Sequence, residues 1–336
     1  MTADIAYVYV FKYAHKTSLS FAKSVTNVFY GLYYNLDKPN LFLFEFLKLI
    51  YYSIKIPKHK VYLVCNSFSL LCVCFKKIFS FRKIVIIHRV NDNIYEEKMH
   101  SILKNMIFSL AYKNVDLFIS CSPFISGIIK KKNVNSKICE VNEFLSDKRY
   151  LNLNPNYKSS NFLLIGSIEK NDCKGTLLSA KSIYSAYKKL TKNLNFFILG
   201  PVLNKNIEFK LNKFDFVKIK GFQDPKKYVS LCKYYIQPGL FDAASNSIIE
   251  AMASGLIVIT NERVGNSFMV CKVSKKLVSS KNTIEDIANI IIWLNSLSED
   301  KIKKLSEKSK KIASYYSEER QVNLFRDEVF HYLKFF

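Results

Sequence analysis

Two acidic side chains, Asp242 and Glu250, lie on either side of the point where a polar loop turns into a helix. Tyr234–Gln237 reads as a short strand, and Pro238-Gly239 ends it. The loop runs through Asn246, Ser247–Ser254 forms a short helix, Gly255 caps its C-terminus, and Leu256–Thr260 starts the next strand. Parallel α/β sheets bind ligands at the carboxyl ends of their strands, which places this loop at a ligand crevice. Free backbone N–H groups of Ser245, Asn246 and Ser247, where the helix starts, would favour an anion or sugar hydroxyls. A second chemical signal is Lys174, just before the helix Thr176–Leu190. The helix dipole disfavours a lysine there unless an anion compensates, and a nucleotide diphosphate would do so. A third is His88, at the carboxyl end of the strand Lys83–His88. Each has a plainer reading: Ser247-x-x-Glu250 is also a capping box, Lys174 also suits an exposed surface, and a lone strand-end histidine also serves as a structural hydrogen-bonder.

The elements that must position these residues alternate between strand and helix. Ile5–Phe11 reads as a strand and Lys16–Asn35 as a helix, with Lys12-Tyr13-Ala14-His15 between them. Leu41–Ile56 is read as a core helix, or as a basic amphipathic helix on a membrane given Lys58, His59 and Lys60 after it. Strand Val61–Cys65, helix Phe68–Ile78 and strand Lys83–His88 follow, then helix Tyr95–Tyr112, for which Asn91 and Asp92 are candidate caps. Val115–Ser120 and Lys137–Val141 are strands flanking the helix Pro123–Lys132. The polar stretch Asn152–Asn161 reads as a linker. Beyond it come strands Phe162–Gly166, Asn195–Gly200 and Phe216–Gly221, and the helix Pro225–Cys232. A weak strand at Lys276–Val278 and helices Thr283–Leu297, Lys301–Tyr315 and Glu318–Tyr332 close the chain.

Length and composition fit two such domains, since 336 residues exceed one compact core. An apolar content of 49% with 23% charged residues excludes disorder. The net charge of +24 divides evenly, +12 in residues 1–150 and +12 in the remainder, so no basic tail stands apart. Such a field attracts polyanions. No nucleic-acid module is recognisable, and the longest basic run, Lys130–Lys132, suits a solvated helix end. An anionic membrane surface fits the charge better than nucleic acid. The eight cysteines form no paired C-x-x-C set and read as reduced core residues of a cytoplasmic protein. Asp4 and the short Ala6–Phe11 run break a signal-peptide pattern, and the longest uncharged run, Val61–Phe75, is too short to span a bilayer. With no Asp-x-Asp pair or His/Cys cluster, no metal is expected.

The layout Asp242-x7-Glu250, with Glu250-Ala-Met-Ala-Ser-Gly255, resembles the acidic-x7-Glu motif of retaining, nucleotide-sugar-dependent glycosyltransferases of family four. The resemblance covers most of residues 83–330 and is most specific at 238–261. It implies the GT-B fold, two doubly wound Rossmann-like domains facing a central cleft. The domains would be residues 1–151 and 162–316, joined by 152–161, with 317–336 crossing back to the first. It implies that Asp242 contacts the donor sugar, with the Ser245, Asn246 and Ser247 backbone, and that Glu250 holds the ribose hydroxyls. Lys174 would bind the diphosphate beside the strand-end Gly166. Ser167 stands where the family usually has Arg, so Lys170 would have to replace that charge. Gly221 and Phe222 would hold the base through backbone groups, and His88 would face the donor sugar. The acceptor implied is a glycan or a polyprenyl-linked intermediate in surface polysaccharide synthesis, at the inner face of a membrane. The rival readings are a sugar epimerase or phosphorylase on the same fold, and a degenerate, non-catalytic binding subunit. The last is favoured by the glycine-free Lys12–His15 loop, by Ser167 and by an Asp where Glu is commoner.

Overall fold

The computed structural model describes residues 5–10, 32–36, 51, 53–56, 58–64, 67–79, 83–90, 109–132, 137–188 and 194–334. The chain forms two compact units, Met1–Asn142 with Glu318–Phe336, and Glu143–Ser317.

The first unit contains strands β1 (Ile5–Val10), β2 (Leu32–Leu36), β3 (Val61–Val64), β4 (Val85–Val90), β5 (Leu117–Ser120) and β6 (Lys137–Glu140). All pair in parallel, in the order β2-β1-β3-β4-β5-β6. β3, β4 and β5 are buried at every position, which is why their sequences run apolar without alternation. Helix α1 (Ser67–Ile78) follows β3, and α2 (Pro123–Lys132) follows β5. Proline opens α2 and three lysines close it, the arrangement that helix termini favour. One expectation is corrected here: Lys16–Asn35 does not end as a helix, because Leu32–Leu36 pairs with β1. Leu32, Tyr33 and Tyr34 suit a pleated surface better than a helix turn. Residues 11–31 and 41–50, Asn91, Asp92 and residues 95–108 lie outside the described residues. So do the Lys12–His15 loop and most of the Leu41–Ile56 and Tyr95–Tyr112 helices.

The second unit is built from β7 (Phe162–Ile165), α3 (Thr176–Tyr187), β8 (Phe196–Leu199), α4 (Lys205–Leu211), β9 (Val217–Gly221), α5 (Lys226–Val229) and β10 (Tyr234–Gln237). It continues with α6 (Asn246–Ala253), β11 (Ile257–Asn261), α7 (Ser267–Val273), β12 (Val278–Ser279), α8 (Ile284–Asn295) and α9 (Glu299–Tyr315). Its parallel sheet runs β12-β11-β10-β7-β8-β9. Strand order therefore reverses between β7 and β10, the kind of position at which such sheets take ligands. Phe162, Phe196, Ile198, Tyr234, Ile236, Ile257 and Ile259 form the core beneath it, with the Phe162 and Tyr234 rings stacked 4.9 Å apart.

Helices α4 and α7 are absent from the sequence reading. Each is seven residues long, too short for its apolar spacing to stand out. Residues 152–161, expected as a linker, lie inside the second unit. Their polar groups are spent on hydrogen bonds to it: Asn156 N–H donates to the Cys232 carbonyl (2.9 Å), while Ser159 and Asn161 donate to that of Leu231 (2.9 Å each). The last helix, α10 (Glu318–Leu333), belongs to the first unit. There Gln321 Oε1 accepts from Asn142 N–H (3.0 Å) and Cys139 Sγ donates to Glu328 (2.9 Å). Among the described residues no helix is long and apolar enough to cross a membrane.

Candidate functional site

The loops leaving β7 and β10 touch backbone to backbone. Leu240 N–H donates to the Cys173 carbonyl (2.9 Å). Gly175 has φ +72°, and a Cβ there would lie 2.3 Å from the Pro238 carbonyl oxygen, so only glycine fits. This contact brings Lys174 to Asp242: the ammonium lies 2.5 Å from Asp242 Oδ2, and both side chains are partly exposed. The Asp242 backbone is fixed from the other side by the loop after β11. Its N–H donates to the Arg263 carbonyl (3.2 Å), and its carbonyl accepts from Gly265 N–H (2.7 Å). The Ser245 N–H donates to the Asn266 side chain in the same loop. At Gly166 a Cβ would meet the Lys174 stem at 2.9 Å, so the missing side chain makes room for the lysine.

The first turn of α3 shows why Lys174 tolerates its place. Asp172, at φ +46°, accepts from Thr176 N–H (2.8 Å), Thr176 Oγ1 (2.5 Å) and Leu177 N–H (2.9 Å). Burial raises the Asp172 pKa and these donors lower it. The chain's own carboxylate thus supplies the anion at the end of α3, and Asp242 neutralises Lys174.

Glu250 occupies the middle of α6 and faces the 3-10 turn Lys148–Asn152. The buried Tyr150 hydroxyl donates to its carboxylate, yet burial dominates and pushes the Glu250 pKa up to about 7. Lys226 opposes that rise, and its ammonium lies 5.4 Å over the Tyr150 ring and 3.2 Å from Asp147. Asp147 also accepts two side-chain bonds from Arg149, 2.8 Å each, which hold its carboxyl well below the usual range. Tyr150 and Lys226 belong to this site although sequence reasoning did not single them out; a lone tyrosine in Asp147-Lys-Arg-Tyr150 carries no local signal. The capping box does not form. The helix begins at Asn246 with Ser245 as cap, and Ser247 Oγ turns instead to Tyr235 (2.8 Å) and Ser245 (2.9 Å).

Residues 159–296 match the family described as glycosyl transferases, group 1. A curated relative, the N-acetylgalactosamine-N,N'-diacetylbacillosaminyl-diphospho-undecaprenol 4-alpha-N-acetylgalactosaminyltransferase of Campylobacter jejuni, is 24% identical over 183 residues, 51% of this chain. The alignment spans 48% of that relative, about half its length. Sucrose-phosphate synthase from Thermosynechococcus elongatus superposes with a TM-score of 0.75 at 12% identity, over 98% of this chain and 99% of that one. HepE of Anabaena, solved with UDP and glucose, gives 0.73 at 11% identity, over 97% and 98%. At such identities the likeness is one of fold, and that fold is GT-B.

Within this unit the remaining expected residues are dispersed. Ser167 donates to Glu169, and Lys170 is exposed on the turn that ends at Asp172. Gly221 ends β9 at φ +66°, and the Phe222 side chain after it is 91% exposed, with its backbone at the carboxyl edge of the sheet. In the first unit, His88 is not brought to a surface. It is fully buried within β4, its Nδ1 lies 3.1 Å from the Val64 carbonyl, and its ring stacks on Tyr112 at 6.4 Å. Burial lowers its pKa to about 4. Its buried Nε2 has no hydrogen-bond partner among the described residues. Among the described residues no three His, Cys, Asp or Glu side chains are grouped to hold a metal ion.

Proposed function

We propose that this chain transfers a sugar from a nucleoside-diphosphate donor, UDP- or GDP-linked, to a glycan or lipid-linked acceptor, with retention of the anomeric configuration. The observation that carries it is the meeting of Lys174 and Asp242 at the point where the second sheet reverses its strand order. A cation and a carboxylate there match the two parts of such a donor, diphosphate and sugar hydroxyls. Lys174 would give up Asp242 for the diphosphate and stabilise it as it leaves, the fixed electrostatics that contribute most to catalysis. Asp242 and the Ser245–Ser247 backbone would hold the sugar, and Glu250 the ribose hydroxyls. Gly221 and Phe222 would approach the base through their backbone, Lys170 would lend charge in place of the missing Arg at Ser167, and His88 would stay structural. We propose no metal in this scheme, because the lysine takes the charge role. HepE, solved with UDP and glucose, supports the donor class, and the Campylobacter relative, named for a diphospho-undecaprenol substrate, supports the acceptor class. By analogy the acceptor would be polyprenyl-linked, in surface polysaccharide synthesis at the inner face of the membrane.

Incubation with a radiolabelled panel of UDP- and GDP-sugars, followed by product analysis, tests this. The expected product is a new glycoside with the anomeric configuration of the donor. An altered free nucleotide sugar would point to an epimerase, and a sugar phosphate to a phosphorylase. Nucleotide binding without any product would support the non-catalytic subunit.

A further inference from the structure

Gln237 ends β10 and is fully buried. Its amide lies among four polar side chains. Nε2 is 2.9 Å from Asp242 Oδ2. Oε1 is 2.7 Å from the Tyr235 hydroxyl, 3.1 Å from Ser245 Oγ and 3.3 Å from Ser247 Oγ. A carboxylate only accepts, so the amide nitrogen must face Asp242 and the oxygen must face the hydroxyls. The reversed amide would set oxygen against carboxylate. The hydroxyls are also linked to each other, and Ser247 Oγ lies 3.4 Å from the Ile165 carbonyl of β7. With two lone pairs on Oε1, Tyr235 and Ser245 can fill them while Ser247 donates to Ile165. The direction of donation is then fixed from both central strands to Asp242.

Lys174 donates to the same oxygen of Asp242. Two donors on Oδ2 orient the carboxyl group, and among the described residues Oδ1 has no hydrogen-bond partner. Resting on the donor-site reading above, we infer that Gln237 is the positioning residue of Asp242. It holds Oδ2 so that Oδ1 stays turned to the donor sugar after Lys174 has moved to the diphosphate. The amide is neutral, so it does this without competing with the lysine for the phosphate.

Two variants test it, with UDP, GDP and their sugar conjugates as probes. Gln237→Leu keeps the volume and removes every hydrogen bond. It is expected to lower kcat by roughly tenfold to a hundredfold, the size of one charge-assisted hydrogen bond, while the nucleotide Kd stays within about threefold. Gln237→Glu sets a second carboxyl against Asp242. Its turnover is expected to be lost near about pH 8 and partly regained near about pH 5.5, where a proton shared by the pair restores a donor. A merely structural glutamine would give equal losses in nucleotide affinity and kcat with a falling Tm, and a wild-type pH profile for Gln237→Glu; that outcome overturns the inference. If the wild-type chain binds neither nucleotide, the donor-site reading fails first. Crystal structures of the ligand-free wild type and Gln237→Leu then decide the positioning role. A turned Asp242 carboxyl in the variant supports it, and an unmoved Asp242 still paired with Lys174 overturns it.

Discussion

Glu250 carries a carboxyl group that burial pushes up to about 7 from its ordinary 4.5, despite the Tyr150 hydroxyl that donates to it. A raised acid pKa means that the folded chain binds more protons than the unfolded chain between those values. Stability from this group is therefore whole below pH 4.5 and is lost as pH rises to about 7. The loss is on the order of 3 kcal/mol. A neutral amide escapes it. Glu250→Gln is expected to melt a few degrees above the wild type at about pH 8 and level with it at about pH 4.5, by calorimetry. Equal destabilisation at both pH values would mean that the carboxylate is needed for folding. A group kept at such a cost, at the mouth of a parallel sheet, fits a binding role. His88 is the converse case: burial lowers its pKa, its Nδ1 lies against the Val64 carbonyl, and its buried Nε2 has no hydrogen-bond partner among the described residues.

At the scale of elements, much was legible. Pro123–Lys132 is a helix with the expected bounds, because Pro at one end and lysines at the other mark both termini. Tyr234–Gln237 is a strand of the expected length, since Pro238 cannot continue it, and Gly255 follows α6 at φ +82°, a left-handed cap. Boundaries drifted where no such marker stands: the helix at Pro225–Cys232 shrinks to Lys226–Val229. The Asp242–Glu250 spacing was readable because it is local. What was not readable depends on contacts distant in sequence. Lys174 meets Asp242 across 68 residues, and Tyr150 meets Glu250 through a turn that reads as an unmarked polar stretch. The Gln237 network was missed for a different reason: a glutamine ending a buried strand has no periodic signature, and only the structure shows that four polar groups converge on it. Asp172 is instructive as well. The helix dipole beside Lys174 favours an anion, and the chain supplies one itself in Asp172 at φ +46°.

At the scale of the whole chain, the charge of +24 is shared by both halves and is tied to no single site. A surface so basic is drawn to anionic bilayers, with about 1 kcal/mol for each lysine or arginine near the headgroups. The chain is expected to sediment with vesicles containing phosphatidylglycerol and not with pure phosphatidylcholine, and to be released by high salt. Equal binding to both would assign the attachment to apolar side chains instead. The fold, the group 1 family match over residues 159–296 and the paired charges at the sheet's reversal point converge on one claim, that a nucleoside diphosphate binds between the loops leaving β7 and β10. Calorimetric titration of the wild-type chain and of Lys174→Met with UDP and GDP tests it most directly. Saturable one-to-one binding of at least one nucleotide, weakened at least about tenfold by the substitution, is the expected result. No binding of either nucleotide, or binding that Lys174→Met leaves unchanged, would contradict it.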